Sequence, residues 1–353
     1  MPISSTLYRF NDYVKALARQ PGEKNIYFTA CYTKKLMLIG ITGTLYSGKS
    51  EVAAFLVSEY GFKYITVDGS PAEVNLQVFK SFDTESELID FVTKNWYDNF
   101  LLTCITSNKF LQALLKRPFF LHVAIDASLI NRFKRLEKTN ANITLEQFAL
   151  RSDEYRFGNN GEMLRILDQS EIRIINDGHT VQEFHDRLRS LNLLNQERLR
   201  PSWDAYFMRL ADLAALRSNC MKRRVGCVLV RDSRILATGY NGTPRNVKNC
   251  NQGGCPRCNA GDSCGIGLST CLCLHAEENA ILEAGRDRIG KSAILYCNTC
   301  PCLTCSIKIV QSGIEEVVYS QSYSMDELSS KVFQEAGIKL RQYILPLNGV
   351  VIL

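Results

Sequence analysis

Twelve of the chain's 14 cysteines fall between Cys220 and Cys305, and that density limits what the second half can become. Cysteines so closely spaced either staple a small secreted module or hold metal, and the redox compartment decides which. No stretch approaches 18 consecutive apolar residues, and the N-terminus lacks the apolar core of a secretory signal. The expectation is therefore a reducing setting, cytoplasmic or also nuclear, with no membrane partner and with metal ligation in place of disulfides. At 353 residues, 46% apolar and 22% charged, the chain is long enough for two domains and too apolar to be disordered. A net charge of +6, without an arginine-rich tail or interleaved aromatics, is no nucleic-acid footprint.

Residues 1–35 read as a loosely ordered extension, with cations, few acids, no apolar period and a Pro21-Gly22 break. A first domain is expected over 36–195. Strands at Leu36–Ile41, Lys63–Val67, Phe119–Ile125 and Ile172–Ile175 alternate there with helical stretches such as Glu51–Tyr60 and Val181–Leu191. Such alternation implies βαβ units and a parallel sheet, an α/β fold. The polar run 192–201 ends in proline and is the natural boundary. The second domain, 196–353, restarts with a helical stripe (Trp203, Phe207, Leu210, Ala214). Strands Val225–Val230 and Ile235–Tyr240 follow, joined by a short polar hairpin turn. A Gly- and Cys-rich loop leads to helix His275–Ala284, strand Ala293–Cys297, helix Cys302–Ser312, strand Glu316–Tyr319, helix Asp326–Ala336 and a short last strand. The order is αββαβαβαβ.

Two short runs carry chemistry: His275-Ala276-Glu277 and Pro301-Cys302-Leu303-Thr304-Cys305. His275 is the last histidine of the chain, with none between it and His185, so a mixed His and Cys site in this half must use it. Catalytic zinc takes three protein ligands and leaves a position for water. Cys302 and Cys305, three apart on a predicted helix, present their sulfurs on one face. Pro301 favours a helix start there, where the helix dipole favours thiolates. Glu277 beside such a site can take a proton from a zinc-acidified water and pass it on. A lone C-x-x-C is as often structural, but a structural site has no use for a carboxylate beside the metal.

This H-x-E and P-C-x-x-C pattern resembles that of the zinc-dependent cytidine and deoxycytidylate deaminase family. The resemblance implies an α-β-α sandwich, His275, Cys302 and Cys305 as zinc ligands, and Glu277 as general acid and base. It also implies hydroxide attack on C4 of a cytosine ring with loss of ammonia. The runs Ser218–Gly226, Thr238–Arg245 and Leu272–Ala280 are similar to the deoxycytidylate branch, above all its fungal form, over about Arg200 to Tyr343. That branch implies dCMP as substrate, dUMP supplied to thymidylate synthesis, and a homo-hexamer activated by dCTP and inhibited by dTTP, with Mg²⁺ accompanying the triphosphate. It further implies nucleotide contact by Asn241, Gly242 and Arg245, at a substrate or an effector site. Independently, Lys222, Arg223, Arg224, Arg245 and Lys248 flank Gly- and Asn-containing turns that suit phosphate, although a solvated basic face would read the same. Tyr296, Tyr319 and Tyr323 are candidates to stack on the base, with core packing as the alternative. Two other readings are a deaminase of bases in RNA and a nucleotide-sensing scaffold with a structural zinc.

Seven cysteines remain: Cys220, Cys250, Cys255, Cys258, Cys264, Cys271 and Cys273. Some relatives hold a second, structural zinc with ligands from the end of the first helix and from the loop after GYNG, and Cys220 and Cys250 match those places. Two among Cys255, Cys258, Cys271 and Cys273 would complete a closed Cys₄ site. Cys227 and Cys297 read as core.

The first half contains Gly43-Thr-Leu-Tyr-Ser-Gly48-Lys49-Ser50, a G-x-x-x-x-G-K-S run between a strand and a helix. Gly43 and Gly48 let backbone N–H groups close on phosphates, Lys49 supplies charge, and Ser50 can hold Mg²⁺. With Val123–Ser128, Arg132, Arg135 and Ile174–Gly178, this half resembles dephospho-coenzyme A kinase and other nucleotide kinases. The resemblance implies a P-loop α/β domain that binds ATP or GTP. Asp68 alone stands where those kinases place an acidic pair, and the substrate-binding insertion is short. Both departures weigh against phosphoryl transfer and for a regulatory or structural appendage.

Overall fold

The computed structural model describes residues 36–69, 76–139, 142–178, 180–261, 266–322, 326–346 and 348–352. The extension at 1–35, Cys264 and Tyr323 lie outside them. The first half runs β1 (Leu38–Gly43), α1 (Lys49–Tyr60), β2 (Lys63–Val67), β3 (Lys80–Phe82), α2 (Glu85–Lys94), β4 (Phe100–Leu102), α3 (Asn108–Leu115), β5 (Phe120–Asp126), α4 (Leu129–Glu137), α5 (Leu145–Asp168, interrupted at Gly158–Gly161), β6 (Ile172–Ile175) and α6 (Val181–Leu191). Thr84, Ser107, Thr144 and Thr180 cap α2, α3, α5 and α6 with their hydroxyls, satisfying amides that helix starts leave orphaned. The second half runs α7 (Trp203–Ala215), β7 (Gly226–Arg231), β8 (Arg234–Tyr240), α8 (Pro256–Asn259), α9 (Ala276–Ala284), α10 (Arg286–Ile289), β9 (Ile294–Thr299), α11 (Leu303–Ser312), β10 (Glu316–Gln321), α12 (Asp326–Glu335), β11 (Lys339–Gln342) and β12 (Gly349–Ile352).

The first sheet is parallel throughout, in the order β12-β6-β5-β1-β4-β2-β3. Both of its faces are covered, which is why β1 is buried at every position and reads as an unbroken apolar run. Ile39 and Ile41 pack with Phe55 and Leu56 of α1 and Phe184 and Leu188 of α6. Leu38 points the other way, toward Leu88 of α2 and Phe110 of α3.

The second sheet has the order β11-β10-β9-β7-β8, antiparallel at β7 and parallel elsewhere. The β7–β8 hairpin turns on Asp232 and Ser233, both with positive φ (52° and 57°), as a two-residue turn matched to strand twist requires. Phe207, Met208 and Ala211 of α7 cover one face with Val228 and Tyr296. Ala276 and Ala280 of α9 and Ile309 of α11 cover the other, with Leu229, Leu295 and Cys297. The result is a three-layer α-β-α arrangement.

The structure departs from the sequence reading at the boundary between the two halves. β12, inside the span 196–353, pairs with β6 from Gly349↔Ile172 to Ile352↔Ile175, so the chain's last described strand joins the first sheet. The boundary run is also packed rather than free. Leu193 and Leu194 are buried in the first core, Glu197 accepts from Tyr343 Oη at 2.8 Å, and Arg198 bonds Leu191 O at 2.7 Å and Asn348 Oδ1 at 2.8 Å.

Candidate active site

Two helix starts converge past the C-terminal ends of β8 and β9 in the second sheet. His275 is the N-cap of α9 and Cys302 the N-cap of α11, with Cys305 in the first turn of α11. The His275 Nδ1 atom lies 3.3 Å from both Cys302 Sγ and Cys305 Sγ, and the three ligand atoms fall within 4.8 Å of one another. Zinc–sulfur and zinc–nitrogen bond lengths in tetrahedral geometry imply an N···S edge of roughly 3.6 Å. The three side chains therefore fit one ion through Nδ1 with little movement, and two sulfurs with one imidazole are a zinc donor set.

Electrostatics agree. The hydrogen bond with Cys305 pushes the Cys302 thiol down to about 3, opposed by burial and aided by His275. The same contact and burial push the Cys305 thiol up. The hydrogen bond to Cys302 raises the His275 imidazole to about 9. Glu277 is 3% exposed, and burial raises its carboxyl against its own backbone N–H and the neighbouring His275 and Cys305. A buried carboxyl with a raised pKa holds its proton more readily than an exposed one, which suits it to proton transfer.

The scaffold holds these groups tightly. Gly239 of β8 faces α9 so closely that a Cβ there would lie 2.0 Å from Ala276 O. Asn279 Nδ2 donates to Tyr240 O at 3.0 Å, and Lys308 of α11 pairs with Glu278 of α9 at 2.6 Å. Leu274 forms an antiparallel bridge with Gly242, with N···O distances of 3.1 and 2.9 Å, which fixes the backbone entering His275.

Comparison with known proteins places this geometry. A sequence profile of the cytidine and deoxycytidylate deaminase zinc-binding region matches residues 201–321. The deoxycytidylate deaminase of Schizosaccharomyces pombe is 50% identical over 318 residues, 88% of this chain and 99% of the relative. The chain belongs to the deoxycytidylate deaminase family. The Saccharomyces cerevisiae enzyme of that name is 48% identical over 87% of this chain and 96% of its own length. The deoxycytidylate deaminase of Mycobacterium phage D29 is 45% identical over 126 residues, 34% of this chain but 95% of the phage protein. The family's zinc region therefore lies in the second half, while the fungal relatives also share the first.

Other residues singled out from sequence have varied placements. The Asn241 side chain is used internally: Oδ1 accepts from Val225 N at 2.8 Å and Ser218 Oγ at 2.7 Å, and Nδ2 donates to Arg223 O at 2.8 Å. Gly242 faces Asn219, whose Oδ1 a Cβ would meet at 2.8 Å. Arg245 is exposed and pairs with Glu283 at 3.3 Å. Tyr296 is not a stacking platform. It is buried against Phe207 and donates to Asp204 Oδ1 at 2.8 Å, because even and odd positions of β9 face opposite layers and Tyr296 faces α7. Sequence reading passed over Asn279 and Asn219, each lying in a quoted motif but named for no role.

At the other end of the chain, residues 43–50 link β1 to α1. Gly48 is left-handed (φ 105°), and Lys49 Nζ lies 3.4 Å from Gly43 O and 3.3 Å from Thr44 O. Gly43 is buried in β1 and accepts from Tyr155 Oη at 3.3 Å, while Ser50 is exposed. Arg135 Nη1 binds Tyr46 O and Ser47 O at 3.3 and 2.9 Å, Arg132 Nη1 approaches Leu45 O at 3.5 Å, and Asn176 Nδ2 binds Ser47 O at 2.9 Å. Both arginines thus brace the loop from behind. Thr44 Oγ1 donates to Asp126 Oδ1 at 2.7 Å.

Proposed function

We infer that the chain hydrolyses dCMP to dUMP and ammonia, supplying dUMP for thymidylate synthesis in the cytoplasm or nucleus. The observation that carries the reading is a buried carboxyl, Glu277, one residue inside the helix that His275 caps, against the Cys302 and Cys305 pair. His275, Cys302 and Cys305 would hold zinc, which when bound lowers the pKa of a ligated water to near 7. Glu277 takes a proton from the incoming water and delivers it to the ring nitrogen beside C4. With the oxygen added at C4, it then moves the second water proton to the departing amine, so that C–N breaks as the C–O bond becomes the C=O of the product and ammonia leaves. Burial keeps bulk water from competing for these protons. Gly242 serves the nucleotide by holding the 241–245 loop against Leu274 and Asn241 by tying it to Ser218, Arg223 and Val225, and Arg245 meets a phosphate of substrate or effector.

The fungal resemblance supports dCTP as activator, dTTP as inhibitor, Mg²⁺ with the triphosphate, and a homo-hexamer. The 43–50 loop, with its left-handed Gly48, helix start and Lys49, supports a P-loop domain, built from 36–195 and completed by β12, that binds ATP or GTP phosphates. The cysteine-rich loop supports a structural zinc. An ammonia-release assay with dCMP, cytidine, CMP and single-stranded RNA tests the reading. Preference for dCMP is expected, with Glu277→Ala lowering kcat by ~10²–10⁴-fold while zinc is retained. Equal activity of Glu277→Ala and wild type, or preference for RNA, would overturn it. Adding dCTP and dTTP to the assay, and weighing the protein in solution by light scattering, test the regulation and the hexamer.

A further inference from the structure

Cys220, Cys250, Cys255, Cys258, Cys271 and Cys273 form one cluster beside the active site. Their sulfurs divide into two complete tetrads, each with every sulfur within 4.8 Å of the others: Cys220, Cys250, Cys258 and Cys273, and Cys255, Cys258, Cys271 and Cys273. The tetrads share Cys258 and Cys273, whose sulfurs are 4.0 Å apart. The remaining measured separations are 4.0 Å for Cys220–Cys258, 3.9 Å for Cys255–Cys271 and 3.8 Å for Cys258–Cys271. Four sulfurs bound tetrahedrally to zinc at about 2.3 Å stand ~3.8 Å apart, whereas a disulfide needs about 2 Å. We propose that this loop holds two zinc ions in a single six-cysteine cluster, bridged by the Cys258 and Cys273 thiolates.

The proposal rests on the structural zinc inferred above and takes it further. One ion in either tetrad would leave two cysteines at the ligand spacing with nothing at their centre. The tetrads are also furnished alike. Met221 N–H donates to Cys250 Sγ in one and Leu272 N–H to Cys255 Sγ in the other, both at 3.4 Å, and these two sulfurs are unshared. Such N–H···S bonds offset thiolate charge. Six thiolates around two dications leave a charge of −2, and the buried Arg257 places Nη1 3.9 Å from Cys271 Sγ. Cys273 is two residues from His275, with Leu274 bridged to Gly242 between them. The cluster therefore fastens the end of the cysteine-rich loop where it enters α9, and the metal-binding free energy becomes local folding energy.

Metal analysis of the full chain tests this. Three zinc ions per chain are expected in wild type and two in His275→Ala. Cadmium-113 substitution of wild-type protein should give two all-sulfur resonances split by mutual coupling through shared thiolates, a readout that needs no variant. Cys258→Ser, which leaves Cys273 as the one bridging sulfur, should weaken the coupling. One all-sulfur resonance would overturn the paired cluster and leave the single structural zinc standing, and none would overturn both. Two uncoupled resonances would refute the bridging. Coupled resonances support the cluster whether or not His275→Ala loses metal, so failure of the active-site ligand set is read separately.

Discussion

Gly239→Ala probes how tightly the sheet sets the active site. An added Cβ would lie 2.0 Å from Ala276 O and 2.8 Å from Ala280 N, where real Cβ contacts do not fall below 3.0 Å. About 1 Å of separation must be found. β8 cannot supply it, because Gly239 pairs with Cys227, which is buried against the core. α9 must lift, carrying its N-cap His275 and its second residue Glu277 away from Cys302 and Cys305 on α11. Overpacking of this kind costs roughly 1–3 kcal/mol of stability, and a 1 Å misplacement at a reacting centre can cost ~10²-fold in rate. Thermal melts, zinc content and ammonia release from dCMP check the variant. Gly178→Ala, with nothing within 4 Å of the new Cβ, is the control and should change stability by less than ~0.5 kcal/mol. A Gly239→Ala protein with wild-type melting temperature and kcat would refute the reasoning.

Acid should destabilise the fold through His122. It is fully buried with Nε2 2.8 Å from Thr42 Oγ1, and burial lowers its pKa from 6.5 to about 4. The unfolded chain protonates first as pH falls, so stability is full above 6.5 and drains between 6.5 and 4, by about 2 kcal/mol at pH 5. Urea titrations of His122→Gln should show a flatter pH dependence, and an unchanged slope would count against it. Lys49→Ala should abolish ATP and GTP binding by calorimetry without altering basal dCMP turnover; wild-type protein that binds neither nucleotide would end the phosphate-loop reading. Deleting residues 349–353 strips β12 from β6 and uncovers the core beside Val351, which packs against it. A loss of order 2 kcal/mol and faster aggregation from the opened edge are expected, and an unchanged melt would show that the strand does not matter.

The motifs were legible because their spacing is local. H-x-E and P-C-x-x-C each lie within one turn of a helix start, so residue type and separation alone predict side chains that can meet. Strands such as β2 and β6 were legible as apolar runs bounded by breaks. β3 and β4, three residues each, are too short to show a period, and β12 pairs with a strand half the chain's length away, where no local signal exists. The role of Asn241 was hidden for a related reason. A GYNG turn suggests ligand contact, but its amide is spent on Ser218, Arg223 and Val225, which only packing brings near.

Sequence by itself determined the chemistry available: one histidine in the second half, a dense set of soft sulfur ligands, a carboxylate two residues from that histidine, and the alternation that makes α/β layers. Tertiary structure decided the partnerships. His275 and the Cys302–Cys305 pair meet because α9 and α11 start at the same end of one sheet's strands. Six further cysteines divide into two tetrads with a shared edge because segments at 220, 250, 255–258 and 271–273 converge in space. Ligand identity is a property of single residues, whereas ligand sharing is a property of distances that exist only once the chain has folded.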